Sequence, residues 1–550
     1  MIRGMTPLVD CALSELVEGP QRVGDVVLVR RGEAVEALLA RCRHMDGRMS
    51  LSADGTELVC PRHGWCIPLS APHLEGSFAY AHPHGMKHPA LRVVHDGERL
   101  RVFDDGPVAP WGQPEPRRPL ETCELSLSFL AHACLELRAG PHRVITDPWL
   151  MGPAFSRGWW LAHRPPEDAM ERLVAADLIY VSHNHSDHLN PWTLEVLAKR
   201  KPEARFVVPA FESGSCAREL AQLGFESVTR LDFGTWLHLG ELRLMILRDR
   251  TDRDDSAVLF EYAGRRILDT VDCHNLGPLP EVDVLLAQHT RGASGYPVCW
   301  EAQYGATEIA RRIDKDLRRA ETGMAALAER TRARMFVPFA GWFTEAHPAD
   351  ADIAASNRKN DAHTICEKVR HRTGARTWIP GAGGMLDVDR LEVLEPGDTS
   401  TPGPDAATLE TFVRRIAEDA AEPALDTLDG MQRYFDWAEF RSDIILHLLE
   451  TDERYAEVLR ELHVDFRDGR VLAGPPPSTD DVRQLRMSVR RDAFRHVLAR
   501  GKSWEELSIG FQARFFRSPD VYAFDFWDHF QHRLPDAPPE WEGRIERAAG

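Results

Sequence analysis

The sequence predicts a multidomain protein: a small all-β domain, then an alternating α/β domain, then a mainly helical C-terminal region. Three observations predict it. Residues 1–105 hold short stretches such as Asp25-Val-Val-Leu-Val-Arg30 and Leu91-Arg-Val-Val-His95, punctuated by glycine and proline. Short apolar-polar runs cut in this way are the pattern of a small antiparallel sheet. Residues 121–395 alternate apolar runs at 178–181, 205–209, 242–247 and 282–286 with amphipathic stretches at 192–200 and 306–333. That is the pattern of buried strands separated by helices. Residues 406–550 show helical spacing at 408–420, 429–450 and 452–463. Linkers rich in proline and glycine, 104–119 and 395–405, separate the three blocks.

The chain of 550 residues is too long for one ordinary core. Hydrophobic content of 43% and charged content of 28% exclude a disordered polymer. No apolar run approaches the roughly 18 residues of a membrane span. The first residues carry acids and no apolar segment, so no secretory signal is expected and the compartment read from them is cytoplasmic. A net charge of −18 argues against nucleic acid as a partner and suits docking onto a basic surface. Ten cysteines lie scattered from Cys11 to Cys366, mostly in apolar runs, as free thiols do in a reducing compartment. Cys42 and Cys60 stand apart from that pattern.

Cys42-x-His44 is followed after fifteen residues by Cys60-x-x-His63. Two thiolates on one iron and two imidazoles on the other are the ligands of a Rieske-type [2Fe–2S] cluster. Asp46-Gly47 in the first loop, and Pro61 and Gly64 in the second, supply the bends such loops need. A zinc ribbon accepts the same donors but favours Cys-x-x-Cys pairs. The chain lacks the extra loop cysteines of respiratory-chain Rieske proteins, so this segment resembles the oxygenase-associated kind. Cys66 and the histidines of 81–88 are read as bystanders.

The second constellation, His183-x-His185-x-Asp187-His188, leaves the apolar run 178–181. A loop at a buried strand end can aim His183 and His185 at one metal and Asp187 and His188 at another. The spacing resembles the signature of the metallo-β-lactamase superfamily, which implies an αβ/βα fold and a catalytic role for Asp187 and His188. The stretch from His132 to Asp147 resembles that superfamily's opening hairpin. Asp272 stands where its bridging carboxylate falls, with Asp269 as the lesser register. Two departures follow. The usual histidine before that strand is replaced by the acidic run 247–256, leaving Asp249, Asp252 and Asp254 as unranked candidate ligands. The late histidine is replaced by Phe339-Ala340-Gly341, with His289 as a candidate substitute. One or two metals are therefore expected, and carboxylate in place of imidazole suits non-haem iron better than the alternative, zinc.

A hydrolase needs no electrons, whereas a cluster that passes single electrons makes sense beside an iron that works on O2. The domain order, with the strings at 291–297, 339–345, 357–360 and 527–530, resembles the CMP-N-acetylneuraminate hydroxylase family. The resemblance implies a monooxygenase that acts on an amino sugar or nucleotide sugar. It also implies O2 as co-substrate and an external reductase, through a b-type cytochrome or a ferredoxin, as electron donor. Alternatives are a zinc-dependent hydrolase with a regulatory Rieske domain, an N-oxygenase of another amine, and a non-enzymatic electron carrier. Arg291, Ser294, Asn357, Arg358, Lys359 and Asn360 are the candidates to hold an anionic substrate. The aromatic stretch 504–530 is expected to dock the C-terminal region onto the other domains.

Overall fold

The computed structural model describes residues 7–42, 47–61, 66–69, 78–81, 87–89, 91–104, 110–251, 253–291, 294–476, 482–537, 539 and 541. His44, His63 and Asp252 lie outside the described residues.

The N-terminal block is built of short antiparallel strands. Gly19–Val23, Val26–Arg31 and Ala34–Leu39 form one sheet, and Ser50–Leu51, Glu57–Val59 and Cys66–Pro68 a second. Alternation along Val26–Arg31 divides its side chains between two cores. Val26 and Leu28 face one that contains Leu100 and Val102, while Val27 and Val29 face another that contains Leu38, Leu58 and Ile67. Cys42 and Cys60 are both buried in the second core.

The middle block is a four-layer sandwich. An eight-stranded sheet runs in the order Val228–Leu231, Phe206–Pro209, Leu178–Tyr180, His142–Thr146, Cys134–Ala139, Leu125–Ala131, Met385–Asp387, Glu392–Glu395. A seven-stranded sheet faces it, with Ser256–Tyr262, Arg265–Asp269, Val284–Gln288 and Met335–Phe339 at its centre. Leu127, Leu137, Val144 and Val207 of the first sheet meet Leu244, Val258, Ile267 and Val337 of the second in one dry core. Helices Glu301–Arg330 and Ala362–Thr373 cover the outer face of the seven-stranded sheet through Ala325, Ala328, Ile365 and Val369. The strands read as unbroken apolar runs because both faces are covered. The long helix breaks its helical dihedrals at Gly305, with φ 70° and ψ 159°.

The C-terminal block combines helices with a mixed sheet. Ala406–Ala420, Leu428–Trp437, Arg491–Arg500 and Phe524–His532 are helical. Five strands pair in the order Arg470–Ala473, Val458–Asp465, Ile444–Thr451, Arg483–Arg490, Ala513–Ser518. The helical spacing at 408–420 is realised, but that at 429–450 ends at Trp437, and 452–463 runs into strand Val458–Asp465. Ile444–Thr451 lies between two partners and is buried along most of its length. Its unbroken apolar run cannot be told from a buried helix by periodicity, and pairing overrides the helix preference of Leu, Glu and Arg.

This block shares a core with the middle one: Trp149, Phe155 and Trp159 belong to the same apolar cluster as Tyr434, Trp504 and Phe530. An ion pair of two buried side chains, Arg490 Nη1 to Asp350 at 2.5 Å, also joins the blocks. Among the described residues no helix is long and apolar enough to cross a membrane.

Candidate metal centre

The site sits where strands of the two facing sheets end together. His132 follows strand Leu125–Ala131, Asp147 follows His142–Thr146, and Asp272 follows Arg265–Asp269. The loop 182–190 leaves strand Leu178–Tyr180 beside them. His132, Asp147 and Val271 all take left-handed backbone, with φ of 36°, 35° and 34°. For non-glycine residues, and above all for the β-branched Val271, that conformation costs roughly 1–3 kcal/mol. Three such residues at one edge turn the chain sharply and aim His132, Asp147 and Asp272 inward.

Two groups of donors result. His183, His185 and Asp272 each offer a ligand atom, all within 4.8 Å of one another, and so do His132, Asp187 and His188. Within the first, His183 Nε2 faces His185 Nδ1 at 2.8 Å. Within the second, His132 Nε2 and His188 Nε2 lie 3.2 and 3.3 Å from Asp187 Oδ2. Asp272 Oδ2, 3.7 Å from His188 Nε2, stands between the groups.

Outer contacts set the tautomers. His188 Nδ1 donates to Asp147 Oδ2 at 2.9 Å, which turns Nε2 toward the site. Asp147 also accepts from the Ser182 amide at 2.7 Å and its hydroxyl at 2.8 Å, tying the loop to the neighbouring strand end. His185 Nε2 donates to Glu505 Oε2 at 2.6 Å. Trp149 packs edge-on against His132 with ring centroids 5.1 Å apart, and Phe343 stacks on Trp159 at 3.6 Å, walling the site with aromatic rings.

These residues fit metal ions. His188 Nε2, Asp187 Oδ1 and Asp272 Oδ1 are buried with no hydrogen-bond partner. Asp147, Asp187, Asp255, Asp269 and Asp272 are all buried beside four histidines. A buried carboxylate oxygen is costly unless it is paired, hydrogen-bonded or bound to a metal, and the unpartnered oxygens of Asp187 and Asp272 are the ones an ion would satisfy. Burial opposes ionisation of Asp187, but His188 and His132 outweigh it and hold the carboxyl well below its usual range. Burial likewise opposes charge on His188, yet Asp187, Asp147 and Asp272 raise it well above the usual histidine range. His183 is held well below that range by burial and by His188 and His185.

The other candidate ligands fall around this centre. Asp249 accepts from the amides of Thr251, His274 and Asn275, so its carboxylate staples a loop. Asp254 accepts from Ser213 Oγ at 2.6 Å. Among the described acids of the run 247–256, its neighbour Asp255 comes near the histidines of the metal loop, with Oδ1 3.9 Å from His183 Nε2, and burial pushes its pKa up to about 7. Sequence reasoning passed over Asp255 and treated His132 only as part of a hairpin. Asp269 joins neither group and accepts from the Val271 amide at 3.1 Å.

His289 is buried outside both groups, its Nδ1 3.3 Å from the Phe339 carbonyl and its ring against Trp342. A side chain at Gly341 would meet that ring at 2.6 Å. Burial lowers the His289 pKa to about 4. The unfolded chain takes up its proton near pH 6.5 and the folded chain only near 4. Stability is therefore whole above pH 6.5 and falls as pH drops to 4, by up to about 3 kcal/mol. Thermal melts across that window, flattened in His289→Gln, check it.

Of the candidate substrate-binding residues, several bond to one another. Arg291 donates from Nη1 to Asn357 Oδ1 at 3.1 Å and from its amide to Asn360 Oδ1 at 3.0 Å. Lys359 pairs with Glu345 at 2.7 Å and lies over the Phe343 ring, behind the aromatic wall of the site. Arg358 is exposed and pairs with Asp314, and Ser294 Oγ accepts from the Tyr296 amide at 3.1 Å.

Residues 6–75 match the model of the Rieske [2Fe–2S] domain, and residues 126–237 that of a beta-lactamase superfamily domain. The cluster domain and the paired donor groups together define a Rieske-dependent monooxygenase. Relatives match along almost the whole length. The cytidine monophosphate-N-acetylneuraminic acid hydroxylase of Mus musculus is 32% identical over 94% of this chain and 92% of its own. Those of Xenopus laevis and Danio rerio are 32% identical, covering 95% and 94% of this chain and 91% and 90% of theirs. The chain belongs to the cytidine monophosphate-N-acetylneuraminic acid hydroxylase family.

Proposed function

We propose that the two donor groups hold non-haem iron, one or two ions, and that the substrate hydroxylated beside them is a nucleotide-activated sialic acid or a closely similar amino sugar. Bound there, the iron and the cluster supply the one-electron and O2 chemistry that a monooxygenase requires. His183, His185 and Asp272 form one ligand set, and His132, Asp187 and His188 the other. Asp147 keeps the His188 Nδ1 proton away from the metal side. Trp149, Trp159 and Phe343 exclude bulk water, which strengthens every charge interaction inside. The observation that carries the reading is the donor pair itself: six ligand atoms in two groups, each within 4.8 Å, in a chain with a cluster domain. Full-length kinship with relatives named for a CMP-linked sialic acid supports the substrate class.

The electron donor is an external reductase acting through a b-type cytochrome or ferredoxin; a net charge of −18 suits docking onto a basic face of such a carrier. A cytoplasmic setting is in keeping with ten cysteines scattered from Cys11 to Cys366, mostly in apolar runs. Purified protein is expected to hold about three to four irons per chain, two of them in the cluster, with little zinc. With reductant and O2 it converts CMP-N-acetylneuraminate to a product one oxygen heavier, read by mass spectrometry. Zinc in place of the additional iron, or no oxygenated product from any N-acyl amino sugar, would overturn the proposal.

A further inference from the structure

The C-terminal block reaches into both cofactor regions through one short stretch. Glu505 is separated from the metal loop by 320 residues of sequence, yet its carboxylate takes the outer nitrogen of His185 at 2.6 Å. Its placement is fixed by backbone packed directly on backbone. A Cβ at Gly158 would meet the Gly510 carbonyl oxygen at 2.0 Å, and one at Gly295 would meet that of Ser508 at 2.1 Å. The Gly295 amide donates to Ser508 at 3.0 Å, and the Ser156 amide donates to Glu506. Two loops of the middle block thus grip residues 506–510 on either side.

On its far side Glu505 lines a cavity of about 30 Å³, room for a water or two. Arg253, Tyr522, Phe524 and His532 line it as well. Tyr522 and Phe524 also pack against the apolar core in which Cys42 and Cys60 are buried. One contiguous path of packed groups therefore runs from the cysteine core through Tyr522 and Phe524, past the cavity, to Glu505 and His185.

We infer that Glu505 is a positioning residue of the metal centre, and that the C-terminal block couples the two cofactors at the His185 edge. By accepting the hydrogen bond from Nε2–H, Glu505 fixes the ring of His185 and makes Nδ1 the better ligand. Tyr522 and Phe524 seat the cluster domain against the same cavity wall. With both groups bound, Cys42 and Cys60 would hold the one-electron donor and His185 would hold the acceptor's near edge; each electron given to a ferric ion would be one lost by the cluster and replaced by the external one-electron carrier. This rests on the proposed iron oxygenase, but the hold of Glu505 on His185 can be read without it.

The test uses the full-length holoprotein. Glu505→Gln keeps the shape and removes the charge. It is expected to lose its domain metal to a chelator about 10–100 times more readily than the parent, as outer-partner changes do. The reduced-cluster EPR signal should be unchanged, while oxidation of a pre-reduced cluster in a single turnover slows at least about tenfold. Glu505→Asp should recover part of both. Metal retention and cluster oxidation equal to the parent's in Glu505→Gln would overturn the inference. Should Glu505→Gln fail to fold, Phe524→Leu serves: slower cluster oxidation with metal retention unchanged supports the path, and an unchanged rate overturns it. If the parent holds zinc and its cluster does not discharge, the oxygenase reading fails, and metal retention alone decides the role of Glu505.

Discussion

His132→Ala is expected to cost the protein one metal of its second centre and to lower substrate oxidation at least about 100-fold, since even outer-partner losses cost 10–100-fold. The [2Fe–2S] signal should stay intact. His132 lies beyond the contiguous motif, yet its Nε2 sits 3.2 Å from Asp187 Oδ2, and its ligand atom groups with those of Asp187 and His188. Removing the imidazole also leaves space among Trp149, Trp159 and Phe343, so some destabilisation is expected. His132→Gln, closer in volume, separates the two effects: metal loss should persist while the melting temperature recovers. Metal content equal to the parent's in both variants would remove His132 from the ligand set.

Cys60→Ala is expected to abolish reductant-driven turnover while the metals at His183 and His188 stay bound. Cys60 is 1% exposed and shares its core with Cys42 at 2%. Losing one thiolate removes one of the two sulfur ligands on which a Rieske iron depends, and the cluster goes with it. The middle block has its own dry core between two sheets, so its metal groups do not depend on the cluster. Visible absorption and EPR report the cluster, and elemental analysis reports the remaining metal. Joint loss of both would show that the domains do not hold their cofactors independently. Some melting of the small N-terminal block is expected, because cofactor binding there is also folding energy.

Much of this protein was legible before any fold was known. Cys42, His44, Cys60 and His63 fall in two short stretches of sequence, and His183, His185, Asp187 and His188 in one, so each candidate ligand set could be read from local spacing. Strands buried on both faces announce themselves as apolar runs. The C-terminal sheet was harder: Ile444–Thr451 carries the same kind of run, with helix-favouring Leu and Glu, and only its pairing with Val458–Asp465 and Arg483–Arg490 makes it a strand.

The sequence by itself determined the chemistry, a cluster that carries electrons beside an imidazole-carboxylate metal loop, because both motifs are written at spacings of a few residues. Only the tertiary structure brings distant groups to the candidate metal centre. His132, Asp255 and Glu505 come from a hairpin end, an acidic loop and the C-terminal block, separated from their partners by 55, 72 and 320 residues. No local spacing encodes such partners. They converge because strands of two sheets end at one edge, and because glycines let the C-terminal backbone close against it.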